Sequence, residues 1–172
     1  MSDRLPAQVD ALRLARQGRL LAGQIDLGRM QRLRQYLCSA DGQAEVALQF
    51  GVDAVGTPFM AGTVEAPLCL VCQRCLESMQ QLVTARFALG LVTNEAQTER
   101  LANDYEPLIV GDEPIFLSDV IEDELILAMP IVAMHDYDCA RTLGIRSETE
   151  ATAKPEAKEN PFAVLKELKS KR

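Results

Sequence analysis

Three successive segments alternate apolar and polar residues, and this alternation limits the fold more strongly than any other feature of the sequence. The segments cover residues 44–53, 60–68 and 83–91. A repeat of two residues is the repeat of a β-strand that buries one face. A Gly-Thr-Pro sequence at 56–58 favours a turn between the first two segments. The pattern therefore predicts an antiparallel meander, in which sequential strands pair through short turns.

Apolar residues at helical spacing predict two helices near the N-terminus, with a short strand between them. Residues 5–17 carry leucine and valine on one face and stop at Gly18, which suits a helix C-terminus. Residues 27–37 show a second apolar face with arginines on the opposite side, and residues 19–25 are predicted to form the strand. We therefore expect two helices whose charged faces point to solvent.

The sequence after the meander predicts a polar loop at 93–103, an edge strand at 105–110 and one further helix. Proline is tolerated at an edge, which suits the proline within the predicted strand. Ser118 is a favourable N-cap for a helix that ends before Pro130. The acidic run at 122–124 is expected to be solvated in the first turn, because consecutive side chains point around a helix and do not converge on one substrate.

The composition changes after residue 146. Residues 147–159 contain no periodic apolar side chain, so a flexible linker is predicted there. Residues 160–172 begin with Asn-Pro, which suits the start of a helix, and three apolar residues follow at helical spacing: Phe162, Leu165 and Leu168. We expect this short amphipathic helix to dock on a partner, and the alternative is that it packs on its own domain. The predicted organisation is one α+β domain at 1–146, with a mainly antiparallel sheet flanked by helices, then the linker and the helix.

Charge is unevenly distributed in a chain whose net charge is −7. Residues 3–34 carry arginines as their only cations, whereas residues 95–124 are dominated by aspartate and glutamate. Solvated protein faces are the simplest interpretation of both regions. The alternative is two interaction surfaces of opposite sign, with the acidic stretch at 95–113 attracting a basic protein. In that case four arginines are the expected phosphate contacts: Arg13, Arg16, Arg29 and Arg32.

Five cysteines, with no secretory signal or membrane-spanning run in the sequence, indicate reduced thiols in a cytoplasmic protein. Cys72 and Cys75 enclose a polar Gln-Arg pair that suits a turn, and His135 and Cys139 supply two further ligand types. These four residues have the composition of one closed structural zinc site. The alternative is a thiol redox or zinc-handling protein that uses Cys72 and Cys75, although a thioredoxin-like pair requires a following helix and a strand pattern follows here.

The remaining two cysteines, Cys38 and Cys69, have apolar neighbours and are expected in the core. The sequence contains one histidine and no recognisable pairing of a nucleophile with a base. It also lacks the G-x-S-x-G, H-E-x-x-H and phosphate-loop motifs. We therefore expect a protein that binds macromolecules, without an enzymatic activity, a small-molecule substrate or a membrane partner.

Several short segments together resemble one known family. They are Cys72-Gln-Arg-Cys75-Leu-Glu, Tyr-Glu-Pro-Leu at 105–108, the Pro-ending helix at 120–130, the His135 and Cys139 pair, and Asn-Pro-Phe-Ala-Val-Leu at 160–165. In this order they resemble the YceD family of large ribosomal RNA subunit accumulation proteins, from about residue 44 to the C-terminus. The N-terminal third is similar only in general character.

The resemblance implies a cytoplasmic bacterial or organellar factor that promotes processing or accumulation of large-subunit (23S) ribosomal RNA, with no established enzymatic activity. The implied partner is the large-subunit precursor, met either as ribosomal RNA or as a basic ribosomal protein. Some members of the family carry a second cysteine-rich motif after the Pro-ending helix. This chain reduces that motif to His135 and Cys139.

Overall fold

A computed structural model describes residues 5–111 and 113–140 of the chain. Its centre is a five-stranded sheet in which the strands lie side by side in the order of the sequence. The strands are β2 (Leu20–Asp26), β3 (Gln43–Val52), β4 (Pro58–Val71), β5 (Ser78–Val92) and β6 (Glu106–Ile109). Neighbours from β2 to β5 run antiparallel, and β6 lies parallel to β5 at the edge. The predicted antiparallel meander and edge strand are confirmed.

One face of the sheet is covered and most of the other is exposed, although at the end of β5 the consecutive residues 89–92 are all buried. In β3 every second side chain from Ala44 to Phe50 is buried, and the residues between them are exposed. The helices α1 (Ala11–Arg16) and α3 (Leu117–Ala128) pack on the strands at this covered face. Burial of each large apolar side chain there contributes about 1.5–3 kcal/mol. The alternation in the sequence therefore separates the core from the surface.

The turn between β3 and β4 is built by Asp53 and Gly56. The Asp53 carboxylate accepts hydrogen bonds from the backbone N–H groups of Val55, at 3.0 Å, and Thr57, at 2.8 Å. The hydrogen bond from Thr57 is the main reason that the pKa of Asp53 lies below its usual value. Gly56 has a φ of 92°, a conformation that suits glycine.

The N-terminal helices are shorter than predicted. The predicted helix at 5–17 is wrong in its first part, because the short strand β1 (Gln8–Val9) pairs with β7 (Ile115–Phe116). The Asp10 side chain then caps α1 by accepting from the N–H of Arg13 at 2.9 Å.

The predicted helix at 27–37 is also wrong and is replaced by two 3₁₀ turns, Leu27–Arg29 and Leu33–Tyr36. Three of its predicted apolar residues, Leu27, Met30 and Leu33, are nevertheless fully buried. They recur every three residues, which matches the three residues per turn of a 3₁₀ helix.

Two further predictions need correction. The predicted loop at 93–103 contains a short helix, α2 (Glu95–Thr98), which Asn94 caps through the N–H of Gln97. Ser118 is not the N-cap of α3, because the helix begins two residues earlier than predicted, with Phe116 in the cap position and no side-chain capping bond.

The described residues up to Cys139 form one compact unit. The predicted linker at 147–159 and helix at 160–172, including Phe162, Leu165 and Leu168, lie outside the described residues, so the proposed domain boundaries remain predictions. Among the described helices, none combines the length and apolar character needed to cross a membrane.

Candidate metal centre

The turn between β4 and β5 presents Cys72 and Cys75. Two backbone hydrogen bonds close this turn: the N–H of Cys72 donates to the carbonyl of Glu77 at 2.9 Å, and the N–H of Leu76 donates to the carbonyl of Cys72 at 2.8 Å. Leu76 has a φ of 62°, which is rare for a bulky residue and adds strain. Gln73 and Arg74 lie in the turn, as their polar character predicts.

The segment that follows α3 lies against this turn. The N–H of Gln73 donates to the carbonyl of Ala133 at 2.8 Å, and the Arg74 guanidinium donates to the carbonyl of Tyr137 at 3.1 Å. The rings of His135 and Tyr137 lie 4.7 Å apart between centroids. Backbone and side-chain contacts therefore bring residues more than fifty positions apart in the sequence to one site.

The predicted ligand set converges in space. The potential ligand atoms of Cys72, Cys75, His135 and Cys139 all lie within 4.8 Å of one another. The Sγ atoms of Cys72 and Cys139 are 3.7 Å apart, and the Cys75 Sγ is 3.4 Å from the His135 Nδ1. A tetrahedral site with metal–sulfur bonds of about 2.3 Å has S···S edges of about 3.8 Å and S···N edges of about 3.5 Å. The cluster therefore has dimensions that suit a tetrahedral metal ion.

The charge state of the cluster also suits a cation. Burial would raise the pKa of the Cys72 thiol, but the backbone N–H groups of Cys75, His135 and Arg74 lower this pKa to about 5. Burial, followed by hydrogen bonding to the Cys75 and Cys72 thiols, raises the pKa of Cys139 to about 11. A thiolate on Cys72 therefore disfavours a second thiolate beside it. A divalent cation would offset the repulsion between neighbouring thiolates, because it stabilises several thiolates at once.

The cluster is closed. The three cysteines are buried and His135 is half-buried, and these four residues would fill all four positions around a tetrahedral ion and leave none for a substrate. The turn that carries Cys72 and Cys75 leads directly into β5 and not into a helix, so backbone N–H groups around the thiol, and not a helix dipole, account for the low pKa of Cys72.

The other two cysteines do not belong to this cluster or to the core. Cys38 is exposed and Cys69 is half-buried, so their predicted core positions are wrong. Cys69 lies on the exposed face of β4, because its neighbours Leu68 and Leu70 are the residues that point into the core.

The four predicted phosphate contacts lie in two different environments. Arg13 and Arg16 are exposed on α1. Arg29 is exposed as well and lies 3.6 Å from the Asp26 carboxylate. Arg32 is exposed too, but its guanidinium forms ion pairs with Glu122 and Asp123 of α3.

Glu122 is a buried, ion-pairing residue whose role the sequence pattern did not predict. It is only 4% exposed, so the expected solvated first turn is wrong at this position. Its carboxylate accepts from the backbone N–H groups of Arg32, at 2.5 Å, and Leu33, at 2.9 Å, and from the Arg32 Nε at 3.1 Å. We call Arg32, Glu122 and Asp123 the carboxylate clamp. The clamp joins α3 to the arginine-bearing segment near the N-terminus.

The fold and the site together define an α+β protein with a closed Cys3His cluster that could bind a metal. Residues 60–169 match the family model described as large ribosomal RNA subunit accumulation protein YceD. The chain belongs to this family. It is 34% identical over 175 aligned positions to the large ribosomal RNA subunit accumulation protein YceD of Haemophilus influenzae, and the alignment covers 98% of each chain. No solved structure matches the chain significantly.

Proposed function

We propose that this protein is a ribosome-biogenesis factor that promotes synthesis, processing or accumulation of large-subunit (23S) ribosomal RNA by binding, without catalysing a reaction. The observation that carries the proposal is the nearly full-length similarity to a relative named for large ribosomal RNA subunit accumulation. A site of action in the cytoplasm follows from the same role.

The closed cluster supports the binding role. We propose that Cys72, Cys75, His135 and Cys139 hold one structural zinc ion, since zinc prefers four tetrahedral sulfur and nitrogen ligands. The ion would fix the segment after α3 onto the β4–β5 turn and so stabilise the covered face of the sheet. Structural zinc contributes roughly 10 kcal/mol or more of folding free energy, which is comparable with the stability of a whole domain.

We propose that the arginines near the N-terminus contact phosphate. Arg13 and Arg16 have exposed side chains on one short helix, and Arg29 is an exposed neighbour of the same region of the sequence. Arg32 has fewer free donors, because its Nε and Nη1 donate to the two carboxylates of the clamp and its Nη2 donates to the backbone carbonyl of Asp119. Its main role in this proposal is to position the segment that carries Arg29.

Two further contacts are proposed for a protein component of the large-subunit precursor. The acidic stretch at 95–113 would attract a basic ribosomal protein, since opposite charge accelerates association. The segment with Phe162, Leu165 and Leu168 would dock in an apolar groove of a partner. Deleting residues 160–172 should leave the melting temperature almost unchanged and reduce recovery of large-subunit precursors. A large loss of thermal stability with unchanged recovery would contradict the docking role.

The direct test is affinity purification of the tagged chain from cells, with and without RNase treatment before elution. The proposal expects large-subunit ribosomal RNA, or ribosomal proteins of that subunit, to co-purify above the level of an unrelated tagged protein. Loss of the ribosomal proteins after RNase would identify RNA as the direct partner, and their retention would identify a protein. Absence of large-subunit components in both samples would contradict the proposed function.

A further inference from the structure

Cys38 and Cys69 are neighbours at the end of a strand pair. The pairing of β3 with β4 ends at Glu45 and Glu65, so Cys69 lies on β4 beyond the part that β3 covers. The segment that precedes β3 takes this place: the N–H of Cys38 donates to the carbonyl of Cys69 at 2.8 Å. Residues that lie opposite each other in an antiparallel pair have Cα atoms about 4.5–5.5 Å apart, and the single backbone bond between Cys38 and Cys69 places these two residues at a comparable separation. This separation falls inside the range of about 4.4–6.8 Å found in disulfides.

The backbone bond between the two residues also brings their side chains near each other. Burial and then the Cys69 thiol are the main causes that raise the pKa of Cys38. Both cysteines are free thiols, Cys38 is exposed to small reagents, and Cys69 is half-buried. Cys38 can therefore react with a reagent in solution, and the nearby Cys69 thiol can then react with Cys38.

We propose that Cys38 and Cys69 form a reversible intramolecular disulfide by exchange with a low-molecular-weight disulfide such as oxidised glutathione. The Cys38 thiolate attacks one sulfur of oxidised glutathione, which forms a mixed disulfide on Cys38 and releases one glutathione thiolate. The Cys69 thiolate then attacks the Cys38 sulfur and releases the second glutathione thiolate. Two protein thiols and one glutathione disulfide become one protein disulfide and two molecules of glutathione, so the protein loses the two electrons that the reagent gains.

The disulfide would fix the segment between the carboxylate clamp and β3 onto β4. Arg32 and Leu33 are held at one end of this segment by Glu122, and Cys38 is held at the other end by its backbone bond to Cys69. A covalent bond at this second point would restrict the arginine-bearing region of the chain. The cluster of Cys72, Cys75 and Cys139 is a separate and buried group of thiols.

The test is incubation of the zinc-supplied full-length protein with oxidised glutathione at about pH 8, followed by intact mass measurement and peptide mapping. The proposal expects a monomer that is lighter by about 2 Da, with one peptide linking Cys38 to Cys69, and full reversal by dithiothreitol. Cys69→Ser should instead keep a glutathione adduct of about 305 Da on Cys38. That adduct should persist at least about tenfold longer than in the wild type. In the wild type the neighbouring Cys69 thiol breaks the mixed disulfide, whereas in the variant only free glutathione can break it.

Three results would overturn the proposal. These are a persistent glutathione adduct in the wild type, a disulfide between two copies of the chain, and a protein in which Cys38 and Cys69 both remain reduced. Cys38→Ser provides the second variant, and it should show neither the internal disulfide nor an adduct on Cys69. Circular dichroism of both variants establishes that they are folded.

Discussion

Replacing Glu122 by glutamine should destabilise the protein more than any other single change in charge among the described acidic residues of α3. Glu122 is buried, and its two carboxylate oxygens accept from two backbone N–H groups and from the Arg32 guanidinium. Glutamine retains one carbonyl oxygen, which can still accept from the backbone. Its amide nitrogen, however, would meet the Arg32 Nε with a donor in place of an acceptor.

The size of the effect follows from the lost contact. A hydrogen bond to a charged group contributes about 1.5–3 kcal/mol, so Glu122→Gln should lower the free energy of unfolding by that amount. Glu122→Ala also leaves the two backbone N–H groups without their acceptor, so a loss of about 3–5 kcal/mol is expected. Urea unfolding followed by far-ultraviolet circular dichroism measures both, because the chain has no tryptophan for fluorescence. The glutamine variant should lower the urea concentration at the unfolding midpoint by about 1 M.

Asp123→Asn is the matched control. Asp123 pairs with the same arginine, but its side chain is 55% exposed, so the substitution should cost less than about 1 kcal/mol. If Glu122→Gln costs no more than Asp123→Asn, the clamp is not a buried, stabilising contact and the reasoning is wrong. A double-mutant cycle with Arg32→Ala would then show no coupling.

Three other predictions concern the metal centre and the arginines. Leu76→Gly should raise the free energy of unfolding by about 0.5–1 kcal/mol, because glycine accepts the positive φ without a Cβ clash. Leu76→Ala should change the free energy of unfolding little, because alanine keeps the Cβ. Equal effects of the two substitutions would contradict this prediction. Cys139→Ser should lower zinc affinity at least about tenfold and reduce the melting temperature, while Cys38→Ser should change neither in a competition titration and thermal melt. Arg13→Glu with Arg16→Glu should flatten the log-affinity against log-salt slope for large-subunit RNA by about 0.7–0.9 per lost contact, and Arg100→Glu should leave it unchanged.

The sequence predicted the sheet because strand alternation is a local signal. Each predicted strand between residues 44 and 91 is present, and every second side chain of β3 points into the core as the pattern requires. The four residues of the cluster were also predictable, since cysteine and histidine are the residues that such sites require. The spacing of these four residues in the sequence does not predict how close they lie in space. The contacts of Gln73 and Arg74 with the segment after α3 bring the four residues together.

The clamp could not be predicted, because it depends on contacts between residues about ninety positions apart. Glu122 lies in an acidic run that is typical of a solvated helix face, and no local pattern distinguishes it from Asp123. An α-helix was predicted in place of the two 3₁₀ turns, because here too the local pattern fits two structures. Their buried residues Leu27, Met30 and Leu33 are spaced by three, which also fits one face of an α-helix.

The metal content of the purified full-length protein tests the account of the site most directly. Protein prepared under reducing conditions without chelators should contain about one zinc ion per chain, held by Cys72, Cys75, His135 and Cys139. The Cys75→Ser variant should lose most of it, and Cys69→Ser should retain it. A wild-type protein that is folded and carries no zinc under these conditions would contradict the proposal that a metal ion joins the β4–β5 turn to the segment after α3.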